Sequence, residues 1–322
     1  MKRALSVFLS ALPFLIVLGL LYAAFYIKPS VDGTPVPPPP MARNDVVYGV
    51  AAPAGDALLW AAGSDGKVWT SRDGARTWTV QKTPTRQLLQ DIAAWDTQRA
   101  VAVGNDGIVL VTADGGRHWT KVDVPRSPIA NKLVHVRTYV GGAAWAVGEA
   151  GVALRSRDYG QHWDRVTPDE DSGWNDVAKL GDRIILAGEF GRLRISDDDG
   201  ATWRDVNGPV KSSLMALAFR DETNGVAVGL DGVVLRTGDG GATWERAQVA
   251  TATHLFDVEW DGNRWAATGN TGILLTGDAT AQDWRTANPS ATDRRWHTRI
   301  LPLRDGYLWA GQGVGSIARP AL

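Results

Sequence analysis

The sequence predicts an all-β chain, a seven-bladed β-propeller preceded by one N-terminal transmembrane helix. Three observations carry that prediction. Six times a glycine is followed twelve residues later by a tryptophan: Gly66 and Trp78, Gly107 and Trp119, Gly151 and Trp163, Gly191 and Trp203, Gly232 and Trp244, Gly272 and Trp284. Each leading glycine closes a Gly-x-x-Gly turn, and successive copies start 41, 44, 40, 41 and 40 residues apart. A period near 40 residues with turn chemistry at fixed offsets is the mark of propeller blades. The third observation is an uncharged stretch, residues 4–27, near the start.

Between each glycine and its tryptophan lies a second signal. Residues 196–203 read Ser-x-Asp-x-Gly-x-Thr-Trp in full, and 237–244 match with threonine at the first position. The copies at 112–119 and 156–163 replace the later threonine by His118 and His162, and the first copy has Ala75 in place of glycine. In the sixth copy fixed spacing puts Ala279 where the aspartate belongs, so that box reads as degenerate. The pattern resembles the Asp-box, or BNR, repeat. Its structural residues are Asp73, Asp114, Asp158, Asp198 and Asp239 with Trp78, Trp119, Trp163, Trp203, Trp244 and Trp284. A carboxylate at this position accepts backbone N–H groups across its own turn, the glycine supplies a left-handed residue, and the tryptophan fills the space between sheets.

Each blade reads as four strands. In the second copy these are 88–94 (inner), 100–104, 108–112 and 119–124 (outer). Inner strands recur at Val46, Leu88, Leu133, Trp174, Leu214, Leu255 and Trp296, which makes seven. The last copy ends without a box or a fourth strand, and propellers avoid open edges. Residues 31–36 are therefore expected to complete blade seven, since an outermost strand tolerates proline.

Composition bounds the function. A net charge of −1 is not that of a nucleic-acid binder, and the absence of cysteine removes disulfides, thiol nucleophiles and thiolate metal sites. As a helix, residues 4–27 span about 36 Å against a hydrocarbon core of roughly 30 Å. A signal-peptide core is shorter and ends in a small-x-small site, which is missing here. Lys2 and Arg3 against the lone Lys28 keep the N-terminus inside. The expected order is a cytoplasmic end (1–3), a signal-anchor (4–27), a proline-rich linker (28–43) and the propeller (44–322), placed in the periplasm on the inner membrane.

Four sets of residues are candidates for chemistry or contact. Aligned inner strands give one polar column, Gly49, Asp91, His135, Asp176, Ala216, Asp257 and Thr298. It forms either a hydrated network lining the central channel or a ligand or cation site. Asp169, Glu170 and Asp171 in one inter-blade linker are carboxylates of the kind that bind calcium, or a solvated run. Lys121, Arg165, Arg204, Arg246 and Arg285 follow box tryptophans and are read as outer-strand charges that block edge pairing. The face built by the Gly-x-x-Gly turns and linkers carries Arg86, Lys132, Trp174, Lys211, His254, Arg295 and Trp296. These are candidate partner contacts or rim residues whose tryptophans pack inward.

Asp boxes also occur in sialidases, which need a tyrosine nucleophile with its carboxylate, three arginines and an acid/base. The tyrosines outside the apolar segment are Tyr48, Tyr139, Tyr159 and Tyr307, and Tyr159 lies in a box turn. No Phe-Arg-Ile-Pro-like segment is present, and the linkers are too short for catalytic loops. The glycines at 311, 313 and 315 precede no helix and make no dinucleotide motif. The expectation is no enzyme, no cofactor and no metal, with a glycan-binding or sialidase-like propeller as the alternative.

A second resemblance covers the whole soluble part. Residues 103–119 and 228–244 carry the phrase Gly-x-x-Gly, then apolar-x-Thr-x-Asp-Gly-Gly-x-x-Trp. This resembles the photosystem II stability and assembly factor family, seven-bladed Asp-box propellers that act as non-catalytic helpers of membrane-complex biogenesis. The resemblance implies a membrane protein complex as partner. In a bacterium without photosynthesis it implies a comparable role beside another membrane system, such as a resistance-nodulation-division exporter. It further implies an arginine patch, for which Arg155, Arg192, Arg194 and Arg236 on third strands are the candidates.

Overall fold

Every second strand except that of blade four, where Arg183 is half-buried, is buried at all positions, as in Ala100–Gly104 and Gly225–Gly229. Such a strand has a neighbouring sheet on both faces, which is why alanine and valine fill it without polar alternation. Its closing glycine is fixed by a close approach. At Gly63, Gly104, Gly148, Gly188, Gly229, Gly269 and Gly311 a Cβ would fall 1.9–2.4 Å from the carbonyl oxygen of the residue just before the inner strand. Gly311 repeats the contact in blade seven, which has no box.

These elements assemble in a computed structural model that describes residues 2–26, 40–42, 44–53, 58–287 and 293–318, with side chains from Ala11 onward. The chain divides into two compact units, Met1–Pro39 and Pro40–Leu322. The second unit holds seven antiparallel sheets in chain order, six of four strands and a last one of three, each running from an inner to an outer strand. The seven inner strands are Val47–Ala51, Leu89–Ala94, Leu133–Thr138, Trp174–Leu180, Leu214–Phe219, Leu255–Trp260 and His297–Leu303. The architecture is the expected seven-bladed propeller. The strand expected at 31–36 lies outside the described residues.

The boxes lock the turns between third and outer strands. Asp198 Oδ1 accepts the Thr202 N–H at 2.8 Å and the Ser196 hydroxyl at 2.7 Å, while Oδ2 accepts the Thr202 hydroxyl at 2.6 Å. His118 and His162 place Nδ1 2.6 Å from the same carboxylate oxygen, so histidine substitutes for threonine. The sixth box is a correction. Asp278, one residue before Ala279, accepts the N–H groups of Gln282 and Asp283 at 2.8 and 3.0 Å, so the lock forms with its aspartate shifted by one.

Each box tryptophan packs against the preceding blade. Trp119 meets Trp60 edge-on at 5.8 Å, Trp203 meets Trp145 at 6.3 Å, and Trp78 joins Leu308 and Ala310 across the junction of blades seven and one.

In the first unit, the apolar N-terminal segment forms one helix, Lys2–Tyr26. Among the described residues no helix is long and apolar enough to cross a membrane.

Candidate functional site

A β-bulge in every inner strand builds the channel. The extra residue, Tyr48, Gln90, Val134, Asn175, Met215, Phe256 or Thr298, lies between two register pairs such as Leu89 with Gly104 and Asp91 with Val103. A bulge re-aims the side chains that follow it. These seven residues, with Lys132, Asn270, Trp296 and Arg299, line a cavity of about 490 Å³ on the side of the Gly-x-x-Gly turns. The next residue of each strand forms a deeper ring: Gly49, Asp91, His135, Asp176, Ala216, Asp257 and Arg299.

Arg299, not Thr298, is thus the member from blade seven. The residue paired with the closing glycine there is His297, one later than counting from Trp296 suggests. Thr298 belongs to the bulge ring and its hydroxyl donates to the Tyr48 carbonyl at 3.1 Å.

The deeper ring ties the blades together. Asp91, Asp176 and Asp257 each accept an N–H from the next blade: Val136 at 3.0 Å, Leu217 at 2.8 Å and Ile300 at 2.8 Å. His135 sits between two of them, Nδ1 2.9 Å from Asp91 and Nε2 3.0 Å from Asp176. Gly49 is glycine because a Cβ would meet Asp91 at 2.6 Å. Two residues further along their strands, Arg137 and Glu259 enter the same space. Arg137 clamps Asp176 through two bonds of 3.0 and 2.9 Å, donates to the Leu217 carbonyl at 2.9 Å, and reaches Glu259 at 3.4 Å. Arg299 contacts Asp91 at 3.4 Å and His135 at 2.5 Å.

The protonation pattern follows from burial against charge. Burial raises the carboxyls of Asp91 and Asp176, but the neighbouring arginines and His135 outweigh it and hold both below the usual range. Burial depresses the His135 imidazole, yet Asp176 and Asp91 bring it above its ordinary value. Asp257 lacks so close a cation. Burial pushes it up to about 7, which Arg299 only partly offsets, and Glu259 beside it is raised for the same reason. Asp257, Glu259, Tyr139 and the two arginines line a second cavity of about 320 Å³, along the far halves of the inner strands.

The partner candidates scatter. Trp174 is a correction: it is 0% exposed, under the guanidinium groups of Arg192 and Arg194 at 4.4 and 5.1 Å, and no partner can touch it. Arg86 and Lys211 are exposed. Lys132 pairs with Glu149 at 3.0 Å, Arg295 with Asp293 at 2.8 Å, and His254 Nδ1 accepts the Asp231 N–H at 2.9 Å. Trp296 is half-buried at the channel mouth, 5.7 Å from Tyr48.

The four arginines, three on third strands and Arg192 just before one, do not form one bare patch. Arg192 and Arg194 converge on Glu170, Arg155 lies on Asp199 and Arg236 on Glu245. Glu170 is thereby taken, and Asp169 pairs with Arg165 at 2.8 Å, so two of the three carboxylates at 169–171 already hold arginines. Among the described residues no cluster of three or more histidine, aspartate or glutamate side chains has metal-binding geometry.

Sequence reasoning missed Arg137, Glu259 and Arg299, because only one column was read along the inner strands. It also missed Phe190. This side chain is 67% exposed at φ 58°, in a turn position occupied elsewhere by Asp65, Asp106, Ala150, Asp231 and Thr271. An aromatic in a left-handed turn residue was the available signal.

Comparison with known proteins adds the family. The model of the photosynthesis system II assembly factor YCF48 matches residues 75–173 and 195–291, more than half the chain. The chain belongs to that family. A curated relative, the chloroplastic photosystem II stability/assembly factor HCF136 of Arabidopsis thaliana, is 31% identical over 112 residues, 33% of this chain and 27% of that protein. The chain thus matches about a quarter of that relative's length.

Solved structures share the fold at low identity. YCF48 bound to D1 peptide superposes with a TM-score of 0.71 at 17% identity, over 91% of this chain and 99% of that one. YCF48 from Cyanidioschyzon merolae gives 0.71 at 14%, over 87% and 97%. The WD40 propeller domain of Doa1 gives 0.71 at 11%, over 87% and 95%, which shows how far the architecture extends beyond the family.

Proposed function

We propose that this YCF48-family propeller is a membrane-anchored, non-catalytic binding module that assists assembly or stability of a membrane protein complex. Family membership carries the assembly role, and a family structure has been solved bound to a D1 peptide. The contact face in this reading is the side of the Gly-x-x-Gly turns. There the N–H after the first glycine of each turn donates to the carbonyl just before the inner strand, as Asn105 does to Leu88 at 2.9 Å, which ties the turn to the blade. It presents Arg86, Lys211, Phe190 and the half-exposed Trp296, a charged and aromatic mixture suited to protein anchors.

The N-terminal helix supports the anchor. Phe14, Leu18, Phe25 and Tyr26 are 63–74% exposed on it, an apolar surface fit for lipid. In this reading the lysine and arginine at its start stay inside and the propeller is periplasmic, beside a photosystem or, without one, an exporter of the resistance-nodulation-division class. The glycan-hydrolase reading is disfavoured by a specific observation. The channel cavity is lined by two arginines rather than three, and Arg137 is already clamped on Asp176.

The test is a pull-down from detergent-solubilised membranes. A Phe190→Ala, Lys211→Ala variant should fold normally and lose the captured membrane protein. Retention of that protein by the folded variant removes the proposed face, and turnover of a sialoside by the wild type removes the non-catalytic reading.

A further inference from the structure

The channel's charges do not balance. Four carboxylates, Asp91, Asp176, Asp257 and Glu259, face three basic groups, Arg137, Arg299 and His135. The basic groups are also unevenly placed. Arg137 is committed to Asp176 and the Leu217 carbonyl. Arg299 is committed to Asp91, His135 and the Thr298 carbonyl. Lys179, at the rim of the same cavity, lies 2.7 Å from Asp199.

What is left over is concentrated at one place. Asp257 is 2% exposed; its Oδ2 takes the Ile300 N–H, while its Oδ1 is buried with no hydrogen-bond partner. Glu259, two residues on along the same strand and so on the same side, has only the 3.4 Å contact to Arg137. The Tyr139 hydroxyl, also buried and beside the Lys179 backbone N–H, lines the same cavity. A buried carboxylate oxygen left unpaired is costly unless something compensates it.

We infer that the cavity beside Asp257, Glu259 and Tyr139 binds one monovalent alkali cation, sodium or potassium, through these oxygen atoms. Carboxylate and hydroxyl oxygens are hard donors, which suit such ions and not soft metals. A single positive charge closes the deficit, whereas a divalent ion would overshoot it against Arg137 and Arg299. The bound ion joins the last inner strands of the ring electrostatically. Asp257 and Glu259 belong to blade six, and Asp257 is bonded to blade seven.

The experiment uses the full-length chain in detergent at a pH of about 8. Its melting temperature is measured in sodium, potassium and choline chlorides at equal ionic strength. Sodium or potassium should raise it by about 2–4 °C over choline in a saturable way, and Asp257→Asn should abolish the rise. Equal melting in all three salts overturns the inference, as does a rise that survives in Asp257→Asn. Should the variant fail to fold, crystals of the wild type grown in rubidium chloride decide: an anomalous peak beside Asp257 supports the site, and its absence refutes it.

Discussion

Asp198 gathers a backbone N–H and two hydroxyls within 2.8 Å, and this lowers its carboxyl to about 2. The shift comes mainly from the Thr202 hydroxyl and N–H, so the lock operates whenever the carboxylate is ionised. Its contribution is present above the unfolded carboxylate range near 4 and is lost as pH falls through about 2. Asp198→Ala should therefore lower the melting temperature at neutral pH and make no difference at pH 1. An unaltered neutral melting curve would contradict the role of the box.

Ala75 makes the complementary case. It holds φ 70° where Gly116, Gly160, Gly200 and Gly241 hold 79–85°. A side chain in that region is strained, so Ala75→Gly should stabilise the propeller by about 1 kcal/mol in denaturant unfolding, against the usual cost of glycine. Loss of stability would show that the first box has relaxed to suit alanine.

At the scale of the element, the blade was legible in the sequence because its glycines and tryptophans have no freedom. Gly104 abuts the Leu88 carbonyl and Trp244 fills the gap between blades, so both recur at fixed offsets. Gly104→Ala would put a Cβ 2.1 Å from that oxygen, and a destabilisation of more than about 2 kcal/mol is expected in chemical denaturation. A cost below about 0.5 kcal/mol would mean that the strand moves aside.

The channel was only half legible. The aspartates at 91, 176 and 257 and His135 fell in one column, since each follows a bulge at the same offset. Arg299 escaped because blade seven starts its pairing one residue later. Arg137 and Glu259 escaped because a polar side chain two positions on reads equally well as an exposed strand end. Trp174 was misplaced because position on a face does not report burial, and the Asp278 shift was hidden by counting at fixed spacing.

At the scale of the whole molecule, the deeper ring makes stability depend on pH in two directions. Asp91 and Asp176 have depressed carboxyls, so their contribution is present above about 4 and disappears as pH falls below it. Asp257 runs the other way. Its folded value of about 7 exceeds the unfolded one, so the native state holds an extra proton between about 4 and 7. Stability from this group is complete below about 4 and is lost as pH rises through 7. In choline salts, without alkali cations, Asp257→Asn should flatten the decline above pH 5 and leave the acid limb unchanged, as followed by thermal melting. A decline that persists in the variant would assign it to Glu259 or His135.

The proposed function requires that a membrane protein dock on the Gly-x-x-Gly face of the propeller. Site-specific photocrosslinking tests it most directly, with a photoreactive residue placed at Phe190 on that face or at Arg76 in a box turn on the opposite side. A discrete adduct with a membrane protein is expected from position 190 and none from position 76. Adducts from position 76 alone, or from neither position in intact membranes, would contradict it.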